Sequence, residues 1–173
     1  MTSSWEPPED DRAPLPFAPP VSGQEDLGGS TFALASYGRR VAGYLIDTVV
    51  MILVIWVAAA LTSGPFRVVL VLLLTLAYPW LLIAFAGGQT LGMKALRIVC
   101  VQDGTGAPVS VARSLGRSAA AMVFIVGGGL IYSIPTILDL LWPAWDKKRQ
   151  ALHDKVAGTV VIVVPTAEPT VVF

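Results

Sequence analysis

From Val41 to Leu61 the chain carries a run of about 21 residues with a single charged side chain, Asp47. At about 1.5 Å rise per residue such a run matches the roughly 30 Å hydrocarbon core of a bilayer, so it predicts a spanning helix. Thr62-Ser63-Gly64-Pro65 ends it with helix-stopping turn chemistry, and a second apolar run, Phe66 to Ala86, follows at once and closes at Gly87-Gly88. So short a connection makes the two helices antiparallel neighbours. Pro79 lies inside the second, where a membrane helix tolerates it if neighbours satisfy the freed carbonyl. The pattern then changes period. Leu96 to Gln102 is β-branched and partly alternating and enters Asp103-Gly104-Thr105-Gly106, and Thr159 to Val164 is a second β-rich run between Gly158 and Pro165. The two predict a small ribbon at the membrane surface.

Between the ribbon strands, Ser110 to Trp145 is apolar in its middle and basic at both ends, with Arg113 and Arg117 on one side and Lys147, Lys148 and Arg149 on the other. Basic residues beside membrane segments prefer the cytoplasm, so the segment should enter the membrane and come back. Gly127-Gly128-Gly129 is the cheapest place to turn. The expectation is a third helix near Ala112 to Val126 and a fourth near Leu130 to Trp142, the last too short for a full crossing. The fold class is therefore an all-α membrane protein with about four membrane helices, two full spans plus a helical hairpin, and a small cytoplasmic two-stranded β element. Three simple crossings with an outside C-terminus are the alternative. Both termini are expected in the cytoplasm, and the location is a membrane, crossed several times.

Composition agrees: of 173 residues, 54% are hydrophobic and only 14% charged, too apolar for an ordinary soluble domain. Charge divides the chain further, because Glu6, Glu9, Asp10, Asp11, Glu25 and Asp26 all precede residue 36, answered there only by Arg12. Residues 1–35, acidic and rich in proline, are expected to form a disordered tail, residues 36–164 the membrane domain and residues 165–173 a C-terminal tail. The first 30 residues lack the basic and apolar regions of a secretory signal, and Asp47 argues against reading Arg39-Arg40 as a twin-arginine signal. The basic surplus beyond residue 36 suits the lipid bilayer and its anionic headgroups; nucleic-acid binding is not indicated. Cys100 and His153 are the only residues of their types, which excludes an intrachain disulfide and a thiolate or imidazole metal cage within one subunit. No cofactor is implied.

An ionisable residue at membrane depth marks a candidate site with a partner to be found, since a central aspartate costs about 2.5–3.5 kcal/mol on insertion scales. Arg40 and Asp47 are two helical turns apart and share a face with Tyr44, but side-chain lean leaves roughly 10 Å of axial separation, to be filled by water, Tyr44 or another segment. Three stretches, Gly38-Arg39-Arg40-Val41-Ala42-Gly43-Tyr44-Leu45-Ile46-Asp47, Gly88-Gln89-Thr90-Leu91-Gly92-Met93-Lys94 and Lys148-Arg149-Gln150-Ala151-Leu152-His153-Asp154-Lys155-Val156-Ala157-Gly158-Thr159, together resemble the RDD family of small bacterial membrane proteins. That resemblance implies that Arg40 is the family arginine and Asp47 and Asp154 its two aspartates. It also implies a membrane protein for which ion or solute transport has been proposed.

Secondary candidates weigh less. Asp139 lies near the polar end of a short helix and can reach the headgroups; His153 is a proton relay beside Asp154 or a surface histidine bonding a turn. Gln89 is expected to cap a short interfacial segment with Thr90, and Lys94 to meet lipid phosphates with Arg97. The P-loop spacing is absent from Gly88 to Lys94, so nucleotide binding is not indicated, and Ser114 and Ser118 have no histidine on their helix to make a nucleophile and base. An enzyme is not expected. Two functions remain in view: ion- or proton-linked transport of an unidentified solute, with Asp47 titrating and Arg40 tuning it, or a structural, assembly or partner-binding subunit in which these residues clamp the fold. So small a bundle leaves little room for a solute path, so a homo-oligomer or larger membrane complex is expected with either.

Overall fold

The computed structural model describes residues 24–27 and 30–164. The expectations for residues 1–23 and for the C-terminal tail lie outside the described residues. The rest of the expected tail is corrected: β1 (Gln24–Leu27) and β2 (Ser30–Ala33) pair antiparallel as a hairpin. Leu27, buried, packs with Leu34, Val101, Val160 and Ile162, with Phe32 against them. Apolar residues spaced among glycines and acids were enough to make a strand pair once a second sheet supplied the other half of a core.

Helix α1 (Tyr37–Leu61) starts four residues before the apolar run because Ser36 caps it, its Oγ accepting from the Arg39 N–H at 3.3 Å. Arg39 and Arg40 thus belong to its first turn. Helix α2 (Gly64–Phe85) has Pro65 in its first turn and runs on through Pro79. Both are long and apolar enough to cross a membrane, and nearly all of their surface faces outward; Trp56 is 77% exposed and Leu61 79%. A soluble protein cannot leave such a belt in water, whereas lipid solvates it at no cost. The protein is a mostly helical membrane protein.

At the end of the bundle where α1 begins and α2 ends sits a polar cap. It holds the short helix α3 (Leu91–Ala95), the sheet of β3 (Ile98–Gln102) and β4 (Thr159–Val163), and helix α6 (Leu152–Ala157). β3 and β4 pair antiparallel with Cys100 opposite Val161, the ribbon expected from composition. Two two-stranded sheets are therefore present where one was expected, joined by a bridge from Leu34 to Ile162.

Helix α4 (Val111–Leu130) leaves the cap and α5 (Ile134–Leu141), followed by a 3₁₀ turn at Trp142–Ala144, returns to it. The expected helical hairpin is present, but the turn is not at the triple glycine. α4 continues through Gly127, Gly128 and Gly129, and the chain reverses at Ile131–Ser133, where Tyr132 and Ser133 take left-handed φ of 47° and 62°. Gly128 serves packing instead: a Cβ there would collide with Thr136 Oγ1, which donates to the Phe124 carbonyl at 2.9 Å. The hairpin closes on the glycine rather than breaking at it.

Candidate functional site

The polar side chains of α1 are divided between two clusters at the cap end. Asp47 accepts three hydrogen bonds: Tyr78 Oη of α2 at 2.6 Å, Thr90 Oγ1 at 2.6 Å and the Gly92 N–H at 2.8 Å. Thr90 is the N-cap of α3 and also accepts from the Met93 N–H. Asp47 thus closes the first turn of α3 and fastens it to α1 and α2, which satisfies orphan donors and complements the helix dipole. The approach is close because Gly43 and Gly92 face one another; a Cβ on Gly92 would strike the Gly43 carbonyl and come within 2.9 Å of Asp47 Oδ2. All three donors are neutral, two hydroxyls and a backbone amide. No bond joins Asp47 to Arg40.

Arg40 instead reaches Asp154, fully buried in α6. Asp154 Oδ2 accepts from Arg40 Nη2 and from the Ala151 N–H at 3.1 Å, capping its own helix from the third position, while Oδ1 accepts from Arg117 Nε of α4 at 2.8 Å and lies 3.4 Å from His153 Nε2. Burial acts most strongly and would raise the Asp154 pKa, but Arg40, Arg117 and His153 together outweigh it and hold the carboxyl well below the usual carboxylate range. One anion therefore joins α1, α4 and α6. Arg40 Nη1 is buried with no hydrogen-bond partner among the described residues, and Ser118 Oγ is the second such atom. Such buried donors are rare and call for an acceptor.

Asp139 on α5 meets the N-terminus of α6: Oδ1 accepts from the His153 N–H at 3.0 Å and Oδ2 lies 2.7 Å from His153 Nδ1. It is not free to reach the headgroup region. His153 is likewise no surface histidine, its side chain only 16% exposed. Asp47, Arg40, Arg117, Asp139, His153 and Tyr44 all line one cavity of about 320 Å³ whose remaining wall is mainly apolar, from α1, α2, α4 and α5. The two clusters are thus neighbours across a shared space.

The other sequence candidates divide. Tyr44 borders the cavity but does not link Arg40 to Asp47; its carbonyl accepts from Thr48 Oγ1 at 2.8 Å. Gln89 does not cap α3, since its Nε2 donates to the Ile98 carbonyl at 2.7 Å and so holds β3, leaving the cap to Thr90. Lys94 is exposed in the last turn of α3. Two members of these clusters are not among the sequence candidates. Arg117 was counted only as a topology-setting charge, although Ser114, Arg117, Ser118 and Ala121 follow a helical i, i+3, i+4, i+7 stripe in an otherwise apolar helix. Tyr78 carried no signal beyond standing next to Pro79. Among the described residues no group of histidine, cysteine and carboxylate side chains is arranged to hold a metal ion.

The comparisons with known proteins bear on the same segments. Two curated relatives, each described as a proline-rich antigen homolog, from Mycobacterium tuberculosis strains CDC 1551 / Oshkosh and ATCC 25618 / H37Rv, are both 33% identical over 79 residues. The match covers 43% of this chain and 28% of each relative, so the chain spans well under a third of their length. No solved structure matches it. The RDD family model matches residues 34–158, which takes in α1 from its first residue, both clusters and the cavity between them: the chain belongs to the RDD family.

Proposed function

We propose that the protein is a multi-pass protein of the bacterial inner membrane that carries out ion- or proton-linked transport of a small solute, without making or breaking covalent bonds. The observation that carries this reading is the unpartnered, buried Nη1 of Arg40 beside a cavity of about 320 Å³. A structural arginine in low-dielectric surroundings uses all its donors; one held on a single side by Asp154 keeps a donor for a ligand. A volume of that size suits a small molecule, and an apolar wall with a few convergent polar groups is the usual make-up of a binding site. In this reading Asp154 and Arg117 position Arg40, and Asp47 holds α3 as part of the cavity's frame. Anionic lipid headgroups would meet exposed Lys94 and Arg97 at the cap, on the cytoplasmic side. A homo-oligomer or a larger complex would complete the path.

The test is flux. Proteoliposomes with an entrapped pH indicator and an imposed pH gradient, challenged with sodium, potassium and small carboxylate salts, should show solute-dependent dissipation that Arg40→Gln and Asp47→Asn reduce. Dissipation no faster than in protein-free vesicles for every salt would remove the transport role.

A second reading has its own support in the saturation of Asp47 by three donors: a non-transporting assembly or partner-binding subunit in which both clusters only fix packing. It predicts that the same variants lower the melting temperature or subunit association while no flux exists to be lost.

A further inference from the structure

We infer that His153, bridging Asp139 of α5 and Asp154 of α6 at the edge of the cavity, is the residue that exchanges the proton in this transport and that its charge sets how α5 sits against the cavity. The inference rests on the transport reading. It starts from which cavity-lining groups have partners in both of their protonation states. Asp154, beside the cavity, accepts from two guanidinium groups and the Ala151 N–H, none of which can accept in turn, so adding a proton to it would leave a donor buried without an acceptor. His153 differs. As neutral imidazole it donates from Nδ1 to Asp139 Oδ2 at 2.7 Å, and its Nε2 lone pair faces Asp154 Oδ1 at 3.4 Å. When a proton adds to that lone pair, Nε2 becomes a donor toward Asp154 and the Nδ1 bond is kept. The Nδ1 bond to Asp139 is common to both states, so gain or loss of the proton changes only the contact between Nε2 and Asp154.

The surroundings couple this proton to α5. The groups facing His153 are Asp139 from α5, Arg117 and Arg113 from α4, Arg40 from α1 through Asp154, and Asp154 and Lys155 on its own helix, the last paired with Asp146; β4 contributes no charge. Among the described residues helix α5 has two polar ties to the rest of the molecule, Thr136 to the Phe124 carbonyl of α4 and Asp139 to His153, and it follows a turn with two left-handed non-glycine residues. Thr136 and Asp139 both line the cavity. Protonation strengthens the second tie by placing a full cation between two carboxylates, and deprotonation weakens it on the wall that a solute touches.

His153 is the only histidine of the chain, so an imidazole ¹⁵N signal from untagged protein in nanodiscs reports this group alone. Asp139→Asn, which removes one negative charge and one of the two acceptor oxygens, should make His153 bind its proton about tenfold more weakly, and added transported salt should move the parent's titration. In proteoliposomes, folded His153→Gln should lose solute-dependent proton flux at least tenfold and the pH dependence of any residual rate. A titration indifferent to Asp139→Asn overturns the inference, even if His153→Gln does not fold. Parent flux retained unchanged by His153→Gln overturns it while leaving the transport reading intact. Absence of flux from the parent overturns both.

Discussion

Removing the Asp154 carboxylate leaves Arg40 and Arg117 facing each other in a buried site without their shared anion. Breaking a buried pair in this way costs about 3–5 kcal/mol, so Asp154→Asn should lower the melting temperature in detergent far more than a surface substitution, and adding Arg117→Met to it should recover part of the loss. The pH dependence has a definite sign. Because the folded pKa is depressed, the unfolded chain binds the proton more tightly, and the stability contributed by Asp154 is fully present above the unfolded carboxylate pKa of about 3.9 and lost as pH falls below it. Melting temperatures measured from pH 7 downward should show no loss from this group until about pH 4, and parent and Asp154→Asn should converge below that. A nearer-neutral loss must come from another group. At this scale Arg40, Asp47 and Asp154 were legible as candidates through the family resemblance, but their pairing was not. Which partner Arg40 takes is decided by contacts 114 residues apart in sequence, and the gap expected between Arg40 and Asp47 is filled on the Asp47 side by Tyr78, Thr90 and Gly92, not by Tyr44. Cys100, buried in β3, has its thiol pushed up by burial above the ordinary cysteine pKa and should resist maleimide until the protein is unfolded.

Short helix α3 has only five residues and no stability of its own, so its place depends on Asp47 and on the Gly43–Gly92 contact. Gly92→Ala puts a methyl group into the Gly43 carbonyl, a collision of backbone with backbone that no rotamer relieves. The expected loss is about 1–3 kcal/mol, seen as a lower melting temperature together with faster hydrogen exchange at Leu91 to Leu96. An unchanged exchange pattern would mean that α3 is held by something else. The paired strands β3 and β4 and the two long helices were readable from periodicity and composition, since both signals are local. The β1–β2 hairpin was not, because an acidic, glycine-bearing segment becomes a strand pair only against Val101, Val160 and Ile162, which lie far along the chain. The turn between α4 and α5 was missed by a few residues for a related reason: glycine reads as a breaker alone, but Gly128 is required by the side chain of Thr136.

Taken as a whole, the molecule is an apolar pair of long helices and a returning hairpin, gathered at one end by a polar cap built from residues 34–36, 86–110 and 145–164. Every charge-bearing cluster lies at that end. Single cysteines at Gly104 and Lys147, in a Cys100→Ser background, should therefore label from the same face of the membrane, and one at Ser63 from the opposite face. Labelling of Gly104 and Lys147 from opposite faces would rule out the returning hairpin. The cavity between the clusters had no signature in the sequence, since it is lined by elements spread from α1 to β4 whose mutual placement no local pattern encodes. The central claim, that Arg40 keeps one face for a ligand while Asp154 holds the other, is tested most directly by Arg40→Lys in the proteoliposome flux assay. Lysine preserves the ion pair but has no second arm, so the account predicts near-parental melting with at least tenfold slower solute-dependent flux. Parental flux from Arg40→Lys would contradict it.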